Sequence, residues 1–70
     1  MNEDILKGNW KQIRGRVKET WGRLTDDELD EINGRMDQLI GMLQVRYGYT
    51  RMDAEQQVRD FVDHLEKEYS

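Results

Sequence analysis

The feature that most constrains this chain is the spacing of its apolar residues, which recur at steps of three and four. Side chains on a strand alternate between faces at every second residue, whereas steps of three and four keep to one face of an α-helix. The spacing therefore predicts an amphipathic first helix whose apolar face, both tryptophans included, enters the core. This face is formed by Leu6, Trp10, Ile13, Val17 and Trp21.

A sequence without proline must interrupt its helices with glycines and capping residues. Gly22 is expected to close the first helix in the left-handed conformation. Thr25 then has the pattern of an N-cap, with Glu28 completing a capping box, and Leu24 and Leu29 form the hydrophobic staple of the same helix start. The sequence therefore predicts a new helix beginning directly after Thr25.

The middle of the chain continues the helical spacing up to Gly48, with one interruption at Gly34. We interpret Gly34 as a break between a short helix near 26–33 and a longer helix near 35–47. A single bent helix over the same stretch is the alternative. The apolar positions are Leu29, Ile32, Met36, Leu39, Ile40, Leu43 and Tyr47.

A last helix is predicted after Thr50, which with Asp53 repeats the N-cap pattern. This helix contains no glycine. The apolar side of this helix, which we expect to face the core, is lined by Met52, Val58, Phe61, Val62, Leu65 and Tyr69.

The two halves of the chain resemble one another at a shift of 26 residues, which places Gly8 over Gly34, Trp21 over Tyr47 and Gly22 over Gly48. Each half is then a helix, a glycine-closed turn and a second helix. We predict an all-α fold of about four helices in a single domain over 1–70. It consists of two packed helical hairpins, about 8–33 and 34–69, related by an approximate duplication.

The composition is that of a small hydrophilic protein: 37% of its residues are charged and its mean hydropathy is −1.03. These values approach those of disordered chains, but two Trp, three Tyr and one Phe at helical spacing favour a folded monomer or dimer. Without cysteine, neither disulfides nor thiolate metal sites can stabilise it. The acidic start and the absence of long apolar runs predict no signal peptide, no membrane span and a cytoplasmic location.

The charge is unevenly distributed along the chain. Residues 1–24 contain six basic and three acidic side chains, whereas 25–70 contain five basic and twelve acidic ones. Lys7, Lys11, Arg14 and Lys18 are three or four residues apart along one side of the first helix, a spacing that allows one helix to contact several phosphates. This basic face is a candidate site for nucleic acid or another anion. An ordinary solvated surface, contact with anionic lipid, and pairing with the acidic half of another copy are the alternatives.

The residues that could support catalysis or metal binding form no recognised constellation. His64 is the only histidine, and no cysteine accompanies it. The acidic cluster Asp26, Asp27 and Glu28 is explained by helix capping, and Asp60 and Asp63 have no distinguishing partner. We expect no enzyme, no cofactor, no metal and no small-molecule substrate.

Glycines seven residues apart are a further feature, because an interior glycine costs a helix about 1 kcal/mol relative to alanine. They do not have the dense spacing of a phosphate-binding loop. They predict either close helix crossings and helix ends, or a flat surface that a partner could approach. They are Gly8, Gly15, Gly34 and Gly41.

The stretch from Gly8 to Asp27, GNWKQIRGRVKETWGRLTDD, resembles the CsbD-like family, and a set of residues in the second half resembles it as well. That set is Gly34, Asp37, Gln38, Leu39, Gly41, Tyr47, Gly48 and Tyr49. The resemblance implies a bacterial, cytoplasmic protein of the general stress response, with duplicated helical hairpins similar to SAM-like domains. It implies no activity and no agreed catalytic or binding residue. The function it favours is a non-enzymatic, protective or protein-interacting role with an unknown partner or self-association, with nucleic-acid binding through the first helix as the alternative.

Overall fold

A computed structural model describes the backbone of residues 3–69 and the side chains of residues 4–68. Within that range every regular element is a helix, which confirms the predicted all-α fold. The helices are α1 (Glu3–Gly8), α2 (Trp10–Thr20), α3 (Asp26–Ile32), α4 (Met36–Tyr47) and α5 (Arg51–Tyr69).

The first predicted helix is in fact two, because the chain leaves helical geometry at Asn9 (φ −124°, ψ 20°). The Asn9 side-chain amide donates to the Ile5 carbonyl at 3.3 Å, a local bond that competes with the regular helical pattern. The apolar stripe survives this break, since Leu6, Trp10 and Ile13 are all buried. The periodicity therefore predicted the buried face correctly but missed the interruption.

The start of α3 has the predicted geometry. The Glu28 N–H donates to the Thr25 hydroxyl at 3.2 Å, and the Thr25 N–H donates to the Glu28 carboxylate at 2.9 Å. Both bonds of the capping box are thus present, and the staple residues Leu24 and Leu29 are buried.

The break at Gly34 separates α3 from α4, so the single bent helix is wrong. Asn33 (φ 46°) and Gly34 (φ 80°) both lie in the left-handed region. The position of Gly34 leaves no room for a side chain, because a Cβ there would lie 2.8 Å from the Leu6 carbonyl oxygen of α1.

Two predictions about individual residues are wrong. Gly22 does not adopt a positive φ; α2 is closed instead by Trp21, which leaves helical geometry at φ −125° and ψ 79°. Met52 is 79% exposed, because Ala54, two residues further on and therefore about 200° around the helix, takes the inward position. Tyr69, also assigned to the core, lies outside the side chains described.

The core runs through all five helices. Helix α5 packs against α4 and α1, α3 packs against α4, and α1 packs against α2. Helices α2 and α4 begin at Trp10 and Met36, 26 residues apart, which is the shift of the sequence repeat. The pairing of the halves as duplicated hairpins stays a prediction. The buried apolar residues are Leu6, Trp10, Ile13, Val17, Trp21, Leu24, Leu29, Ile32, Met36, Leu39, Ile40, Leu43, Ala54, Val58, Val62 and Leu65.

Candidate functional site

The basic face predicted from sequence is spread over two helices, because the break at Asn9 leaves Lys7 in α1 and the other three residues in α2. Lys7 and Lys11 are exposed. Arg14 and Lys18 are half-buried.

The two half-buried cations are paired with α3. Arg14 forms an ion pair with Asp30 and donates to the Asp26 carbonyl oxygen at 3.3 Å. The Lys18 ammonium lies 3.3 Å from the Asp26 carboxylate. Lys7 and Lys11 form no ion pair with any side chain that the structure describes. The basic face therefore combines two exposed ammonium groups with two cations whose charge is partly compensated by α3.

Glu28, the third residue of the acidic cluster at the start of α3, has a structural role. Glu28 is the one buried charged residue described, and it accepts hydrogen bonds from Arg46 as well as from the Thr25 N–H. The Arg46 hydrogen bond, helped by the Thr25 backbone, holds the pKa of Glu28 below its usual value. The carboxylate thus joins the start of α3 to the end of α4.

A second charged cluster ties the C-terminal part of α5 to α2. Arg16 donates to both carboxylate oxygens of Glu68, at 2.6 and 2.8 Å, and this lowers the pKa of Glu68. His64 is largely exposed, with its Nε2 3.8 Å from Glu68. Asp60 accepts a hydrogen bond from Gln56 at 2.9 Å. Within the described part of the chain, no three His, Cys, Asp or Glu side chains are placed to share a metal ion.

An open groove of 580 Å³ lies between the end of α2 and the middle of α5. Trp21 and Phe61 form its apolar floor, with ring centroids 5.0 Å apart, and Gln57 accepts a hydrogen bond from the Trp21 indole at 3.3 Å. Sequence reasoning did not find this groove, because its two sides are about 40 residues apart in the chain. The sequence signal available was Phe61, the single phenylalanine of the chain.

The tryptophans are core residues, as predicted, and offer no free ring for stacking. Trp10 is 6% exposed and its indole donates to the Leu29 carbonyl at 3.1 Å. Trp21 is 2% exposed.

An aromatic stack that sequence reasoning missed joins the turn after α2 to the turn after α4. The Tyr47 and Tyr49 rings are stacked with centroids 5.3 Å apart, and the Arg23 guanidinium lies 5.3 Å from the Tyr47 centroid. The Arg23 backbone N–H donates to the Tyr47 hydroxyl at 3.1 Å. Two aromatic residues flanking Gly48 were the available sign of this cluster.

The four spaced glycines divide between the two expectations. Gly34 marks a close crossing, as described above. At Gly8, Gly15 and Gly41, an added Cβ would meet no described atom within 4 Å beyond its own neighbourhood, so these positions leave open, side-chain-poor surface. Gly8 is also the last residue of α1, which agrees with the expected helix end.

No helix in the described range has the length and apolar character needed to cross a membrane.

Comparison with known proteins agrees with the resemblance in the sequence. Residues 4–56 match the CsbD-like family. A UPF0337 protein of Pseudomonas aeruginosa is 54% identical over 65 residues, covering 93% of this chain and 100% of the relative. A UPF0337 protein of Pectobacterium atrosepticum is 53% identical, covering 91% of this chain and 93% of the relative. UPF0337 protein YjbJ of Escherichia coli K12 is 54% identical, covering 87% and 88%.

Proposed function

This chain belongs to the CsbD-like family, a general stress response family of uncharacterised biochemical function, and we propose that it serves that response without catalysing a reaction. Its role would be protective or protein-binding. The charged surface would keep the protein hydrated and allow weak contacts with other macromolecules.

The observation that carries this proposal is how the charged residues are used. They pair between helices over a closed apolar core, as in Arg14 with Asp30, Arg16 with Glu68 and Arg46 with Glu28. Of the large apolar side chains described, two are strongly exposed, Val45 and Met52. A surface of this kind stays soluble at high concentration because it presents few apolar contacts to other molecules.

The direct test is protection of a labile enzyme during heating or drying, over a range of molar ratios. We expect recovered activity to rise with the amount of protein added. A small helical protein of the same net charge is the matched control and is expected to protect less. Equal recovery with the control would attribute the effect to charge and hydration alone. No recovery at any ratio would overturn the protective role.

Self-association through opposite charges is the form of protein binding that the charge distribution supports. The basic residues of α1 and α2 on one copy would contact the acidic surface of α5 on another. Sedimentation at several salt concentrations tests this: an oligomer that dissociates as salt rises is expected. Lys7→Glu with Lys11→Glu should weaken it, and a salt-independent monomer would eliminate it.

Nucleic-acid binding through Lys7, Lys11, Arg14 and Lys18 is the second candidate, supported by the exposure of the first two residues. Retention on heparin or DNA should then fall steeply with salt. Arg14 and Lys18 would have to exchange acidic partners for phosphates. The pair Lys7→Gln and Lys11→Gln should therefore lose more retention than the matched pair Arg14→Gln and Lys18→Gln. Absence of retention at low salt would exclude this function.

A further inference from the structure

We propose that Asn33 is a site of spontaneous deamidation, and that docking of α1 against Gly34 controls its rate. An asparagine followed by glycine is chemically susceptible, because the glycine nitrogen can attack the side-chain amide without hindrance from a Cβ. The Asn33-Gly34 pair is the only Asn-Gly in the chain.

The turn that contains Asn33 can reach the reactive conformation by rotation of a single peptide group. Residues 32–35 form a tight turn closed by the Arg35 N–H, which donates to the Ile32 carbonyl at 2.9 Å. Asn33 has φ 46° and ψ 43°, and Gly34 has φ 80°. These angles are those of a type I′ turn, for which Asn-Gly is the preferred sequence.

Ring closure needs the Gly34 nitrogen to eclipse the Asn33 Cβ about the Cα–C bond, which for an L residue means ψ of about −120°. That is the angle at the first central position of a type II′ turn, where φ is about 60°. The φ of Asn33 is already close to this value. Rotation of the single peptide between Asn33 and Gly34 therefore converts the folded turn into the reactive one, and glycine tolerates the accompanying change in the sign of its φ.

The reacting groups are otherwise unengaged. Asn33 is exposed, and neither its side-chain amide nor the Gly34 N–H forms a hydrogen bond with a described residue. The Gly34 amide loses its proton to solvent base, and its nitrogen forms a bond to Asn33 Cγ. The Cγ–Nδ2 bond breaks and ammonia leaves, giving a succinimide. Water then opens the ring at either carbonyl, giving aspartate or isoaspartate.

The peptide rotation is opposed by α1. The Cβ position of Gly34 lies 2.8 Å from both the Leu6 carbonyl oxygen and the Lys7 Cα, so the backbone of α1 is packed directly onto the turn. Helix α1 is six residues long and is joined to α2 through the break at Asn9. A helix of fewer than two turns that is joined through such a break opens more readily than the longer helices of a fold. The reaction would therefore proceed chiefly in molecules whose α1 has left the turn.

The products would change the same contact. Aspartate places a negative charge at the C-terminus of α3, where the helix dipole disfavours it. Isoaspartate adds a methylene group to the main chain of a two-residue turn that must fit against Leu6. Conditions that loosen α1, such as heat, would thus leave a covalent and persistent mark at Asn33.

The experiment is peptide mapping by mass spectrometry of the full chain during incubation at mildly alkaline pH. Deamidation adds one mass unit, and an isoaspartate assay reports the second product. We expect the reaction at Asn33, slowly in the folded protein and faster in urea. Asn9, which precedes Trp10, is the internal control and should remain intact. Asn33→Gln should abolish the signal, because the cyclic imide formed from glutamine would have six ring members instead of the five of the succinimide.

Two core variants test the control by α1. Leu6→Ala removes the α1 anchor and should accelerate the reaction at least about tenfold under folded conditions. Leu43→Ala in α4, compared at a urea concentration that equalises global stability, should accelerate it much less. If Leu6→Ala does not fold, Ile5→Ala provides a milder loosening of the same helix. Equal acceleration by the α1 and α4 variants, or a folded rate equal to the urea rate, would overturn the role of α1. An intact Asn33 in urea would overturn the site itself.

Discussion

The turns after α2 and α4 have the same sequence pattern, an aromatic residue followed by glycine, but they close their helices differently. After α4, Gly48 takes φ 69° and its N–H donates to the Gln44 carbonyl at 3.0 Å. After α2, Trp21 itself leaves the helix, at φ −125° and ψ 79°, while its N–H still donates to the Val17 carbonyl at 2.8 Å.

The difference follows from where the two aromatic rings go. Trp21 is almost completely buried and contacts Phe61 and Gln57 of α5. Tyr47 is half-buried and keeps its hydroxyl at the surface, where the Arg23 backbone N–H donates to it. Closing a helix therefore depends on the tertiary position of the aromatic residue as well as on the glycine beside it.

The largest expected effect in this comparison comes from removing each aromatic ring. Trp21→Ala should lower the free energy of unfolding by about 3–5 kcal/mol, because it leaves a large cavity in the core. Tyr47→Ala should cost about 1–2 kcal/mol, because its ring is half-exposed. Urea denaturation followed by far-ultraviolet dichroism measures both, with Tyr47→Phe, which retains the ring, as the control. Equal losses for the two alanine variants would show that burial does not distinguish the turns.

The next effect concerns the two glycines. Gly48→Ala should destabilise the fold by about 1–2 kcal/mol, because alanine is strained at positive φ. Gly22→Ala should change stability by less than about 0.5 kcal/mol, since its Cβ would meet the Lys18 carbonyl at an ordinary 3.9 Å. Thermal unfolding of the two variants side by side gives the answer. A loss at Gly22 as large as that at Gly48 would contradict the assignment of the two turns.

A smaller effect is expected from the hydrogen bond that connects the turns. Tyr47→Phe removes the acceptor of the Arg23 N–H but keeps the ring stacked on Tyr49, and should cost about 0.5–1 kcal/mol. The matched control is Tyr49→Phe, because the Tyr49 hydroxyl forms no hydrogen bond with a described residue. Indistinguishable midpoints in urea would mean that solvent replaces the bond without loss.

The smallest effect is electrostatic and appears only in acid. Because hydrogen bonding to Arg46 lowers the pKa of Glu28, ionised Glu28 stabilises the fold above its usual pKa, and this contribution is lost as the pH falls through the lowered value. Glu28→Gln keeps the capping geometry without the charge and should reduce the loss of stability on acidification. Part of the pH dependence of stability will remain in this variant, because Arg16 also lowers the pKa of Glu68. Stability measured by urea titration at several acidic pH values tests this. If Glu28→Gln lost stability on acidification as steeply as the unaltered protein, the stabilising role of ionised Glu28 would be contradicted.

Much of the fold could be predicted because its signals are local. The capping box at Thr25, the break at Gly34 and the end of α4 at Gly48 each depend on residues within one or two turns of each other. The interruption at Asn9 was missed because the apolar stripe continues across it, and periodicity does not register a local side-chain hydrogen bond such as that from Asn9 to the Ile5 carbonyl.

The candidate site was less predictable, because it depends on contacts that are not local. The spacing placed Lys7, Lys11, Arg14 and Lys18 along one side, but the pairing of Arg14 and Lys18 with α3 depends on how two helices pack. The groove beside Trp21 and the connection of the Tyr47 stack to Arg23 also require segments far apart in sequence.

The sequence by itself determined the family, the helical class, the residues of the apolar stripe and the helix start after Thr25, because periodicity and capping act over a few neighbouring residues. Only the tertiary structure decided that Ala54 rather than Met52 faces inward, that Gly22 needs no left-handed conformation, and which cations are paired. Those outcomes depend on contacts between distant helices, whose geometry is fixed only when the core closes.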